Sequence, residues 1–291
     1  MSIAIVISVH DGLVIAADSA STLTINTPAG IGVANVYNNA NKIFNLIKGS
    51  PMGCVTYGSG SIGNASIATL IKDFRGILTN DAEAKKRFSF DRKKYTMEQV
   101  SKSLAEFLGQ ECEKIRDKNL RQTINIGLMV GGYSTGETLG EVWAIEVQKG
   151  LAGAPKKLRQ ADQVGINWGG ESEAIHRLVL GFSPRIFDVM AQVMNPPQPP
   201  AALVTTLQPL LIAQLQAPLV FAPMPVQDAI DLGEFLVHSA EMFSRFLPGA
   251  QSVGGPIEVA AITKHEGFKW IRRKYYYRRD INPDESSYVS D

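Results

Sequence analysis

Two apolar runs, Ser2 to Val9 and Leu13 to Ser19, open the chain in the stretch MSIAIVISVHDGLVIAADSAST, with His10-Asp11-Gly12 between them. Ile and Val dominate both runs, and Asp-Gly is a pair that supplies the positive φ angles of a tight hairpin, so the spacing predicts antiparallel strands. Their hydrophobicity is nearly continuous instead of alternating, which requires a covering layer on each face of the sheet they build. The first buried strand starts at residue 2, where most domains leave the chain loose. Either this terminus only completes a sheet, or the free amine and the hydroxyl of Ser2 are positioned for chemistry.

Further along, Thr22 to Asn41 turns to Thr, Asn, Gly and Pro and predicts an extended excursion or ragged hairpin; Lys42 to Leu46 and Gly53 to Tyr57 resume as strands. After the Gly58-Ser59-Gly60 turn, Ile62, Ile67, Leu70, Ile71, Phe74 and Ile77 recur at helical spacing, and Met97 to Ile115 predicts a second helix. The charged stretch Asp81 to Lys94 between them reads as a solvated connection. Strands are expected at Thr123 to Val130 and Glu141 to Val147, with a weaker candidate at Ala161 to Ile166. Helices follow at Glu171 to Leu180, Pro184 to Met194 and Val226 to Leu247, and closing strands near Ile257 to Thr263 and Phe268 to Ile271. That order suggests an α+β chain built as two sheets covered by helices.

With 45% hydrophobic residues over 291 positions there is material for a large core, and the formal charge of +1 provides no whole-protein field for nucleic acid or an anionic membrane. Cys54 and Cys112 lie far apart in apolar or helical patterns and read as buried thiols, not as a disulfide or metal pair. His10, His176, His238 and His265 lack metal-ligand spacing, so no metal and no cofactor is expected. The N-terminus has no signal-peptide pattern, which makes the cytoplasm the default location. The apolar part of NPPQPPAALVTTLQPLLIAQLQAPLVFAPMP is broken by Pro209, Pro218 and Pro223, so it reads as an inserted helical arm, forming an interface or folding onto the domain itself, and not as a membrane span. The tail FKWIRRKYYYRRD packs six basic residues among five aromatics, a composition able to bind single-stranded nucleic acid, but an acidic segment follows at once, and a terminal strand or arm with a solvated basic face is the expected reading.

An N-terminal serine has one property no interior serine has. Its own α-amine, with an ordinary pKa near 8, can serve as general base for its hydroxyl. Removal of Met1 would expose Ser2 in that role. DGLVIAADSAST places Asp18 sixteen residues after Ser2, NKIF carries Lys42, and TYGSGSIG supplies a glycine-rich turn. This pattern resembles the opening of proteasome β-type subunits, members of the N-terminal nucleophile (Ntn) hydrolases, as a divergent bacterial-type relative. The resemblance runs from Ser2 to about Phe74, weakens through VGINWGGESEAIHRLVL, and recovers at VQDAIDLGEFLVHSAEMF and SVGGPIEVAAI, covering about two-thirds of the chain.

The resemblance implies a four-layer αββα sandwich of two antiparallel sheets and a peptidase in which Ser2 is the nucleophile. Lys42 would favour the developing alkoxide, Asp18 would orient Lys42, and the backbone N–H of Gly58 or its neighbour would hold the oxyanion. It further implies peptide or unfolded-protein substrates and assembly into a ring or stacked rings. Residues 1–263 would form the domain, with insertions at about 79–96 and 195–225, and 264–291 would be an extension. The sequence also departs from the family. Ala20 stands where catalytic subunits often have arginine, Gly169 where a serine is expected, and Ala250 replaces the aspartate of an Asp-x-x-Ser-Gly-Gly pattern. A non-catalytic structural subunit is therefore the competing expectation.

Overall fold

The computed structural model describes residues 2–27, 30–160, 162–194 and 199–275. Met1, part of the proline-rich arm and the acidic tail lie outside these, so the expectations placed on them are not addressed by the structure. The strands are β1 (Ile3–Val9), β2 (Gly12–Ala17), β3 (Ser21–Thr27), β4 (Gly30–Tyr37), β5 (Ile43–Asn45), β6 (Met52–Gly58), β7 (Ser61–Ile62), β8 (Ala65–Ser66), β9 (Ile126–Gly132), β10 (Glu141–Gln148), β11 (Leu151–Ala152), β12 (Lys156–Arg159), β13 (Gly165–Gly170), β14 (Glu258–Thr263) and β15 (Gly267–Arg272). The helices are α1 (Ile67–Thr79), α2 (Asp81–Phe88), α3 (Met97–Glu113), α4 (Lys118–Gln122), α5 (Glu173–Ile175) running into a π turn at His176–Leu180, α6 (Ile186–Val193), α7 (Pro200–Leu215) and α8 (Val226–Phe246).

One sheet has the strand order β13-β1-β2-β14-β15, the other β11-β10-β9-β6-β5 with β12 also on β10, and every pairing is antiparallel. Alternation along β1 sorts its side chains between two cores. Ile3, Ile5 and Ile7 share an apolar cluster with α6, α7 and α8, while Ala4 and Val6 meet Ile43, Val55, Met129 and Val142 of the second sheet. The far face of that second sheet packs on α1 and α3 through Phe74, Leu104, Phe107, Leu128 and Ile145. This two-sided burial explains the unbroken apolar runs of β1 and β2, which are buried at every position.

The β1–β2 hairpin forms in the expected place by a different device. Val9 pairs with Gly12, so the loop is only His10-Asp11, and none of these residues has a positive φ. Gly12 packs closely on its neighbours instead: a Cβ there would sit 3.1 Å from the Ile262 carbonyl oxygen of β14 and 3.3 Å from Val226 of α8. The stretch expected to be a solvated connection contains α2, because Asn80 accepts from the Glu83 N–H at the helix start and Ala84 is buried. Ser66 caps α1, so that helix starts at Ile67, after a short β7–β8 hairpin, and not at Ile62. The weak strand expected at Ala161 to Ile166 lies at β13 instead: Arg159 closes the preceding turn by donating to the carbonyls of Val164 and Ile166 and to Asn167.

Leu203 of α7 is buried in the same cluster as α8, so part of the proline-rich arm folds back onto its own domain. β15 pairs with β14 along its length, and the sheet therefore continues past Thr263 to Arg272. No helix among the described residues is long and apolar enough to cross a membrane.

Candidate active site

β1 lies between β13 and β2 in its five-stranded sheet, and this is what holds the chain at Ser2. The Ser2 carbonyl accepts from the Glu171 N–H at 2.7 Å just past β13, and the next N–H, from Ile3, donates to Asp18 Oδ1 at 3.0 Å just past β2. Gly170 has φ 94°, and a Cβ on it would collide with the Ser2 carbonyl, so only glycine lets β13 approach the terminus this closely.

Asp18 is fully buried and accepts four hydrogen bonds. Oδ1 takes the Ile3 N–H and Lys42 Nζ, the latter at 2.5 Å, while Oδ2 takes the N–H groups of Ala20 at 3.0 Å and Gly254 at 3.1 Å. The late Gly254-Gly255 pair thus reaches back across the fold to the start of the chain; Gly255 has φ 78°, and its missing Cβ leaves room for the Asn38 carbonyl. Lys42 is 4% exposed. Burial pushes its pKa below the ordinary 10.5, and the Asp18 carboxylate, by charge and hydrogen bond, opposes that shift.

Ser2, Lys42 and Gly58 line one cavity of about 650 Å³, together with Thr56, Tyr57 and Ser59, and Asp18 lies behind Lys42. The structure thus brings together the four residues that the sequence singles out. Gly58 has φ 92°, and a Cβ there would strike the Asn125 carbonyl, which accepts from the Ser59 N–H at 2.7 Å. The turn is pinned to the start of β9, and Gly58, Ser59 and Gly60 form part of the cavity wall.

Two groups in the neighbourhood had no clear signal in the sequence. Lys274 and Glu258 form a second buried ion pair, Nζ to Oε2 2.9 Å, with side chains 7% and 2% exposed. Lys274 Nζ also donates to Ser19 Oγ at 2.5 Å and to the Ala40 carbonyl at 2.8 Å, so it ties the chain beyond β15 to the residues flanking Asp18 and Lys42. Burial lowers its pKa, and Glu258 opposes the shift. A charged residue inside the apolar run IEVAAI was the available hint of a buried partner. The other group is Tyr57. A Cβ on Gly127 or on Gly169 would run into its ring, so the phenol occupies the space a side chain at Gly169 would need. Burial raises the Tyr57 pKa, keeping the hydroxyl protonated at neutral pH.

The arrangement offers a strand-terminal hydroxyl, a buried lysine fixed by a saturated carboxylate, and backbone amides on a glycine turn, which is the equipment of acyl transfer by a serine nucleophile. Among the described residues no group of three or more His, Cys, Asp or Glu is placed to hold a metal ion.

No protein-family model matches the sequence, and no curated protein matches it. Among solved structures, the chain is similar over 99% of its length to the Gly-1 mutant of Anbu from Hyphomicrobium sp. strain MC1, covering 95% of that chain at 13% identity with a TM-score of 0.49. It is also similar to Anbu, described as an ancestral β-subunit, from Yersinia bercovieri, over 94% of this chain and 88% of the other, at 14% identity and a TM-score of 0.42.

Proposed function

We propose that this chain is an amide hydrolase of the N-terminal nucleophile kind, a proteasome-like peptidase with a four-layer αββα fold, in which removal of Met1 exposes Ser2. The observation that carries this reading is the convergence of Ser2, Lys42 and Gly58 on one cavity above a fully buried Asp18 that binds both Lys42 and the Ile3 N–H. A lysine held in a dry site by a carboxylate that already has three backbone donors is costly to maintain for packing alone.

In the reaction, the neutral α-amine of Ser2 takes the hydroxyl proton as Oγ attacks the substrate carbonyl carbon. The Lys42 ammonium stabilises the negative charge that develops on Oγ. The tetrahedral oxyanion accepts from the Gly58 amide, the Ser59 N–H being held by the Asn125 carbonyl, and collapse expels the amine half of the substrate, which takes the proton from the α-ammonium. Water then attacks the Ser2 ester with the same amine as base, which releases the acid half and restores the hydroxyl. Asp18 is a positioning residue: it touches Lys42 and the Ile3 backbone, not the reacting atoms. Peptides or unfolded chains are the substrates, and assembly into a ring or stacked rings would sequester the nucleophile.

A second reading, a non-catalytic subunit of such an assembly, draws on Ala20 and on Gly169, whose side-chain space is filled by the Tyr57 ring. Hydrolysis of a panel of fluorogenic peptides separates the two. The catalytic reading expects turnover that Ser2→Ala and Lys42→Ala each abolish, while the structural reading expects the same background in all three proteins.

A further inference from the structure

A second cavity, of about 280 Å³, lies on the other side of the segment that carries Lys42, and Asn41 belongs to the walls of both. Four basic side chains line it: Lys48 from the turn after β5, Lys72 and Arg75 one turn apart on α1, and Arg273 from just past β15. None of the four lies within ion-pair distance of a carboxylate among the described residues. The carboxylate in the wall, Glu258, is already paired with the buried Lys274.

Four like charges gathered from three separate elements repel one another, and the fold holds them there. Arg273 is fixed over the Trp270 ring, its guanidinium carbon 4.9 Å from the centroid, and Arg92 Nη2 donates to the Lys48 carbonyl at 3.2 Å, holding that turn. Burial, and after it the charge of Arg273, lowers the pKa of Arg75.

We infer that this cavity is a binding site for a compact, multiply charged anion of the phosphate class, held by Lys72, Arg75, Lys48 and Arg273. The charge count selects the ligand, because a monoanion such as acetate neutralises one of four cations while a phosphate or pyrophosphate neutralises two or more and offers oxygens to a planar guanidinium in pairs. The cavity volume, about 280 Å³, gives room for an ion of that size. This inference does not depend on Ser2 being a nucleophile.

Isothermal titration of the full chain with sodium phosphate and with pyrophosphate, against acetate and chloride at matched ionic strength, tests it. One phosphate or pyrophosphate per chain should bind saturably, and acetate and chloride should not. Lys72→Gln and Arg75→Gln should each weaken binding by roughly tenfold, the loss expected for one charge-assisted hydrogen bond. Lys102→Gln, on an exposed pair with Glu98 elsewhere, should leave the affinity unchanged. In phosphate-free buffer, Lys72→Gln and Arg75→Gln should melt no lower than the parent, since each relieves repulsion; this also shows that the variants fold. A phosphate isotherm that never saturates, equal affinity for acetate and phosphate, or unaltered affinity in both cavity variants would overturn the assignment.

Discussion

Asp18→Asn keeps the shape of the side chain while removing its charge and one of its two acceptor oxygens. In the native site Oδ1 serves Lys42 and Ile3, and Oδ2 serves Ala20 and Gly254, so an asparagine must turn an N–H₂ group toward one of these donor pairs. The larger loss falls on Lys42, whose ammonium has no other hydrogen bond among the described residues. Breaking a buried pair from one side costs about 3–5 kcal/mol. An independent bound agrees: a lysine that escapes by losing its proton at about pH 7 costs about 4–5 kcal/mol relative to its ordinary pKa. For a chain of this size that corresponds to a fall in Tm of roughly 5–8 °C. The pH dependence identifies the cause. Lys42 sits neutral in the folded variant while the unfolded lysine stays protonated up to its ordinary 10.5, so the unfolded state binds more protons and the variant gains stability as pH rises. The gap to the parent should therefore narrow by up to about 1.4 kcal/mol per pH unit. Thermal unfolding of both proteins between about pH 6 and about pH 9 measures this. A gap that stays constant with pH, or a Tm loss below roughly 2 °C, such as an exposed pair would give, refutes the reasoning.

Lys42→Met should cost less than Asp18→Asn, because Asp18 keeps three backbone donors; thermal melts that reverse this order would show that the lysine and not the carboxylate is the anchor. Lys274→Met leaves Glu258 buried without its cation and should lower stability by about 3–5 kcal/mol in urea unfolding, whereas a loss under about 1 kcal/mol would mark the pair as solvated. Gly58→Ala must hold φ 92° and meet the Asn125 carbonyl, so it should cost about 1–3 kcal/mol and remove peptidase activity; an active, fully stable variant would take the turn out of the oxyanion site. The kcat/KM profile should rise through about pH 8 as the α-amine loses its proton and fall below pH 10.5 as Lys42 loses its own, a limb that burial moves down from the ordinary lysine value. A profile flat through both regions contradicts those roles.

The strands that carry the site could be read from the sequence because their signals are local: two unbroken Ile/Val runs put Ser2 and Asp18 at the ends of adjacent strands, and a short apolar run follows Lys42. The grouping of Ser2, Asp18, Lys42 and Gly58 rested on the resemblance to proteasome β-type subunits and not on local pattern. Signals that depend on space and not on pattern stayed hidden. Gly12 has no positive φ and is instead tightly packed by β14 and α8, which lie more than two hundred residues away. β13 carries the sequence GINWGG, too rich in glycine to give an apolar run, yet those glycines are what let it lie against Ser2 and the Tyr57 ring. Lys274 could not be told from the exposed basic residues around it, because its burial is set by Glu258, Ser19 and Ala40, none of them near it in sequence.

The central claim is that Ser2 is an N-terminal nucleophile, and the intact mass of the native protein after incubation with a β-lactone electrophile, with Ser2→Ala alongside, tests it most directly. The expected result is a chain that has lost Met1 and gained one adduct, with no adduct on Ser2→Ala. A chain that keeps Met1, or one that is trimmed and never reacts, contradicts the claim and leaves the site as the framework of a non-catalytic subunit.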